Sequence, residues 1–132
     1  MDDTLSAAQR RRLAAGLEAR RSELRRDVRA QLDGSDDDRV VGLRGRLDED
    51  DDWGVADGLA ELDIAEVRHA LAELTAVDGA LARLREGSYG TCTECDEPIA
   101  AARLLAYPTA VRCIDCQEAY ETHARAPGAA PR

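Results

Sequence analysis

Two Cys-x-x-Cys pairs, Cys92-Thr93-Glu94-Cys95 and Cys113-Ile114-Asp115-Cys116, stand with seventeen residues between them, and nothing else in the chain restricts its folding as much. Each pair can turn two thiolates onto one ion, and a loop of this length lets the pairs meet, the spacing of a zinc site. Four thiolates fill a tetrahedral shell and leave no position for water or substrate, so one structural Zn2+ is expected on Cys92, Cys95, Cys113 and Cys116. The alternative, two thiol–disulfide motifs, suits one Cys-x-x-Cys better than two at this spacing. Gly90 permits a tight backbone approach to the first ligand. Pro98 and Pro108 favour loop or short strands over helix between the pairs, and Cys116 is expected in the first turn of a final helix reaching about His123.

The rest of the chain reads as helix. Leu5, Leu13, Leu17, Leu24, Val28 and Leu32 lie on one helical face, with Thr4 as N-cap and Gly34 as the terminating glycine. Ser35, with Asp38 three residues on, suggests a second start, and Val40, Leu43 and Leu47 suggest a short helix. Leu59, Leu62, Glu66, Ala70, Leu74, Leu81 and Leu84 trace a second long face, stopped by Gly87. Aromatic residues are only 3% of the chain and Phe is absent, so long helices packed along a seam suit this composition better than a large globular core.

The expected fold is therefore mainly α: an antiparallel helical hairpin, or coiled coil, with a small C-terminal four-Cys zinc finger and a final short helix. The hairpin would take residues 1–86, with helices at about 4–33, 36–47 and 55–86 and an acidic turn at 48–54. The finger and its helix would take 87–125, and residues 126–132 read as a disordered tail.

Charge narrows the function classes. The net charge is −9, and residues 33–52 carry nine acids against three Arg. Such a chain is repelled by phosphate backbones, so sequence-specific DNA binding is not expected; a basic protein surface or a bound cation suits the acidic stretch better. No apolar run resembles a signal peptide or a membrane span, which points to the cytoplasm, where closely spaced cysteines bind metal rather than pair. His69 and His123 lack partners for a second metal site and read as surface residues. No nucleophile–base arrangement is recognisable, so an enzyme is not expected.

The segment Gly87-Ser88-Tyr89-Gly90-Thr91-Cys92, then Cys95-Asp96-Glu97-Pro98-Ile99, Arg103-Leu104-Leu105-Ala106-Tyr107-Pro108-Thr109-Ala110 and Cys113-Ile114-Asp115-Cys116-Gln117-Glu118 resembles the DksA/TraR family of bacterial RNA-polymerase-binding regulators. The likeness reaches more weakly into Leu17-Glu18-Ala19-Arg20-Arg21 and Leu24-Arg25-Arg26-Asp27-Val28. It implies a hairpin inserted into the secondary channel of RNA polymerase, with acidic residues at its tip acting near the catalytic centre. Asp50, Asp51, Asp52, Trp53 and Asp57 stand in the matching place, and Trp53 would be either an exposed anchor or a plug against Leu47 or Leu59. Two departures accompany the likeness. The family's Asp-Ala tip pair is replaced by Asp52-Trp53-Gly54-Val55-Ala56-Asp57. The basic positions that serve guanosine tetraphosphate correspond to His69 and Ala76 in a chain without Lys, so a response to that nucleotide is not expected. Two other readings remain open: a zinc-stabilised protein-interaction module that does not act on polymerase, and a DNA-binding finger using the Arg stripe of the first helix. A monomer is expected, because a short turn lets the apolar seam close within one chain.

Overall fold

The computed structural model describes residues 4–125; the tail expected at 126–132 lies outside the described residues. Six helices follow in order: α1 (Ala7–Leu32), α2 (Asp38–Asp50), α3 (Ala56–Glu61), α4 (Ala65–Glu86), α5 (Ala101–Ala106) and α6 (Ile114–Arg125), with a 3-10 turn at Trp53–Val55. Among the described residues the only β pairing is an isolated antiparallel bridge between Thr91 and Pro98. The fold is the expected one, a helical hairpin followed by a four-Cys segment and a last helix. It divides into two compact units, one of Glu18–Asp78 and one of the flanking segments.

In the first unit, Leu24, Val28 and Leu32 of α1 are buried together with Val67, Leu71, Leu74 and Val77 of α4. Burying each such side chain stabilises the fold by about 1.5–3 kcal/mol, and this seam is the main source of order here. Arg20 of α1 forks onto Glu73 of α4 at 2.5 and 2.7 Å, and Arg21 reaches Asp78 at 2.8 Å. Val40 and Leu47 of α2, Val55 and Leu59 add a second apolar cluster at the turn.

Several local expectations differ from the structure. Thr4 does not start α1. Ser6 does: its hydroxyl accepts from the Gln9 N–H while the Gln9 side chain accepts from the Ser6 N–H, a reciprocal cap with Gln in the usual Glu position. Asp37, rather than Ser35, caps α2 by accepting from the Arg39 N–H, and Ser35 instead accepts from the Asp37 N–H. Helix α2 continues through Asp48, Glu49 and Asp50, which shortens the acidic turn to Asp51 and Asp52.

The helix expected over 55–86 is broken. Asp63 sits in the left-handed region at φ 57°, between α3 and α4. Asp is one of the few residues that adopts this conformation readily, and the break changes the helical phase. The buried face of α4 therefore runs through Val67, Leu71, Leu74, Val77 and Leu81, while Glu66 is exposed and Ala70 only half-buried.

The ion pairs along this hairpin make it sensitive to acid. Hydrogen bonding to Arg20 holds the Glu73 carboxyl below its ordinary value, and Arg46 does the same for Asp52. A carboxyl lowered on folding stabilises the fold above its unfolded value and loses that contribution as pH falls through the folded value. Thermal melts should therefore lose midpoint as pH drops from 7 to 3. Because the Arg20–Glu73 pair is exposed, its share is at most about 1 kcal/mol. The drop should be smaller in Glu73→Gln; an equal drop in both proteins would show that this pair contributes nothing.

Candidate functional site

The second unit is organised around the cysteines. Gly87, at φ 84°, ends α4, and the N–H groups of Ser88 and Tyr89 both donate to the Arg83 carbonyl. Tyr89 is buried, and its hydroxyl donates to the Pro108 carbonyl at 2.7 Å, which ties the start of the loop to its far side. Gly90 is left-handed at φ 90°, and a Cβ there would meet Leu104 at 3.3 Å, so the position suits glycine on both counts. Ile99 N–H donates to the Gly90 carbonyl and Cys92 N–H to the Glu97 carbonyl, closing a tight knuckle whose corner is left-handed Asp96. Thr93 N–H donates to the Val111 carbonyl, which brings the second cysteine pair alongside the first. Gln117 N–H donates to the Cys113 carbonyl, placing Cys116 in the first turn of α6 as expected.

One element was not anticipated. Between Pro98 and Pro108 the chain forms α5, whose buried Leu104 packs beneath Gly90. The prolines bound this helix rather than prevent it: Pro98 precedes it, and Tyr107, an extended residue before Pro108, ends it.

The result is a cluster of Cys92, Cys95, Cys113 and Cys116 whose sulfurs all lie within 4.8 Å of one another. Two sulfurs on one tetrahedral zinc are separated by about 3.8 Å, from a Zn–S distance near 2.3 Å. Cys95 and Cys113 sulfurs are 3.9 Å apart, and all four cysteines are free thiols. The donor set therefore fits one structural Zn2+. Electrostatics agrees. Burial raises the Cys92 thiol, but the N–H groups of Cys113, Cys95 and Glu94 outweigh it and bring the thiol down to about 6. Cys116 is pushed up by hydrogen bonding with Cys113, Cys92 and Cys95. One thiolate is favoured and further negative charge is resisted, an imbalance that a dication removes. His69 and His123 are exposed and outside this cluster.

The acidic turn is the other feature marked by the sequence. Asp50 is the last residue of α2. Asp51 is left-handed at φ 48° and accepts from the Trp53 indole N–H at 3.0 Å. Asp52 caps the 3-10 turn by accepting from the Gly54 N–H and pairs with Arg46. Asp57 is exposed in the first turn of α3. Trp53 is half-buried, with the guanidinium groups of Arg25 and Arg29 over its ring at 4.8 and 5.4 Å. The arginines of α1 divide between two sets of acids. Arg20 and Arg21 pair with acids of α4, whereas Arg25 and Arg29 reach the turn. Their i, i+4 spacing on one helix was the available signal.

No described helix is long and apolar enough to cross a membrane. Residues 87–121 match the prokaryotic dksA/traR C4-type zinc finger. The RNA polymerase-binding transcription factor DksA of Caulobacter vibrioides is 46% identical over 52 residues, 39% of this chain and 37% of that protein. An uncharacterized 8.2 kDa protein of Escherichia phage P2 is 60% identical over 30 residues, 23% of this chain and 40% of that protein. The match thus spans well under half the length of either curated relative. The solved structure of transcription factor DksA2 from Pseudomonas aeruginosa is similar with a TM-score of 0.61 and 28% identity, over 92% of this chain and 89% of that one.

Proposed function

The chain belongs to the DksA/TraR family through its zinc finger, and from that premise we propose that it is a bacterial transcription regulator that binds RNA polymerase through the secondary channel. The observation that carries this reading is the finger with all four ligands gathered, in a chain whose likeness to DksA2 extends over 92% of its residues rather than the finger alone. The hairpin turn enters the channel, and Asp50, Asp51, Asp52, Trp53 and Asp57 form the part that acts there. Zinc holds the finger and performs no chemistry. The protein works as a cytoplasmic monomer, is no enzyme, and makes no sequence-specific contact with DNA. His69 and Ala76 on α4 are exposed and place no Lys or Arg there for guanosine tetraphosphate, so no response to that nucleotide is expected.

One observation favours a second reading, an interaction module that does not act on polymerase: Asp51 and Asp52 already have arginine partners within the chain. Competition separates the two. Fluorophore-labelled, zinc-loaded protein should bind purified bacterial RNA polymerase at micromolar concentration or below and be displaced by a known secondary-channel factor. Absence of binding at micromolar polymerase would favour the module. Binding that the competitor leaves untouched would move the contact outside the channel.

A further inference from the structure

The turn carries more arginine than its acids alone would explain, and the arrangement is specific. Arg25 and Arg29 lie one helical turn apart on α1, and both guanidinium groups lie over the ring of Trp53. Both also reach the same carboxylate: Arg25 Nη1 is 3.5 Å from Asp51 Oδ2, and Arg29 Nη2 is 3.2 Å from Asp51 Oδ1. The Trp53 indole N–H donates to that same Asp51 oxygen. Arg29 further donates to the Leu47 carbonyl at the end of α2 and pairs with Asp48 at 3.3 Å. The Arg25 and Arg29 side chains are 18% and 34% exposed, so the arginine and indole side of this clamp is shielded, while the Asp51 carboxylate that closes it faces solvent. The Arg46–Asp52 pair lies outside this clamp and is hydrogen-bonded to neither Trp53 nor α1 among the described residues. Asp57 has no ion pair among the described residues.

We propose that Arg25 and Arg29 are positioning residues that lock Trp53 and Asp51 against α1, so that Asp51 holds the turn together while Asp52 and Asp57 are the acids presented to the polymerase. This rests on the polymerase-binding reading and narrows it: two of the five turn residues belong to the scaffold, and a pair of arginines some twenty residues upstream decides the conformation of the rest. A guanidinium suits the task because it stacks on an indole with its plane while its edge donates to a carboxylate.

Trp53 is the only Trp, so its fluorescence reports the clamp directly. In the full zinc-loaded chain, Arg25→Gln with Arg29→Gln should shift the emission to the red and raise acrylamide quenching, with zinc content unchanged. Polymerase binding should persist, while the effect on transcription falls roughly tenfold or more, since catalysis-range geometry is lost with small displacements. The paired Arg→Lys variant, which restores the charge but not the planar fork, should recover only part of both signals. If the Gln pair loses helicity, Asp51→Asn removes the anchoring charge with both arginines in place and should give the same spectral shift. An unchanged emission in the Gln pair and in Asp51→Asn overturns the clamp. A red shift with undiminished transcriptional effect overturns its positioning role. Failure of the wild-type chain to bind polymerase would sink the functional reading instead, and the fluorescence would still decide whether the clamp exists.

Discussion

Cys92→Ser should abolish stoichiometric zinc binding and disorder the loop between Tyr89 and Cys116. Cys92 is the ligand with no exposed surface, and its own N–H and carbonyl close the first knuckle through Glu97 and Asp96. Structural zinc contributes on the order of 10 kcal/mol to such a segment, and one ligand in four carries a share of about 3 kcal/mol, or roughly a hundredfold in affinity. The apolar core of this segment is small: Tyr89, Ile99, Leu104 and Ala110 are its buried residues beside Cys92. It cannot replace the metal. The three Tyr all lie in this unit and the single Trp lies in the other, so the two units have separate spectroscopic reporters. On chelation, or in Cys92→Ser, the near-ultraviolet tyrosine signal should collapse as Tyr89 loses its bond to the Pro108 carbonyl. The Trp53 emission should stay, because the residues that hold it, Arg25, Arg29 and Asp51, belong to the other unit. One zinc per chain and an intact tyrosine signal in Cys92→Ser would refute the four-thiolate assignment.

The contrast between these units also explains which parts were legible in the sequence. The ligands come in pairs three residues apart, and a loop of limited length forces the pairs together, so spacing alone identifies the site. Helix faces are legible while the phase is unbroken: Leu5, just before α1, and the five α1 residues read as one face with it are all buried. On the second helix the pattern was followed across Leu62, Asp63 and Ile64, where one left-handed Asp resets it, and Glu66 and Ala70 took the place of Val67 and Leu71. A single residue at positive φ leaves almost no trace in a periodicity. Helix α5 was hidden because its flanking prolines are also loop signals. At the turn, acids next to one another in sequence read as a solvated run, but their partners come from α1. Pairings across such a separation depend on how the helices fold back, which composition and spacing do not encode.

That distinction decides which acids to remove in order to test the turn itself. Asp52→Asn combined with Asp57→Asn takes away two negative charges while keeping the local geometry. Asn caps as well as Asp, so the oxygen that accepts from the Gly54 N–H is retained, and Arg46, left without that partner, is itself exposed to water. Asp57 contributes only a first-turn charge to α3. Folding should therefore change little, and Trp53 emission should not move, because neither residue belongs to the clamp. The transcriptional effect on purified polymerase, by contrast, should disappear. A carboxylate can meet a metal ion or a basic channel loop through its charge, and an amide cannot replace that charge. Competition binding should weaken much less, since two side chains of a short turn are a small part of the surface that the proposed contact would bury. The opposite pattern, full regulation with lost binding strength, would make the turn an anchor rather than an effector. Full regulation with full binding would place the active surface elsewhere on the chain, and the exposed apolar residues Leu105, Tyr107 and Ile114 of the finger unit would be the next to substitute.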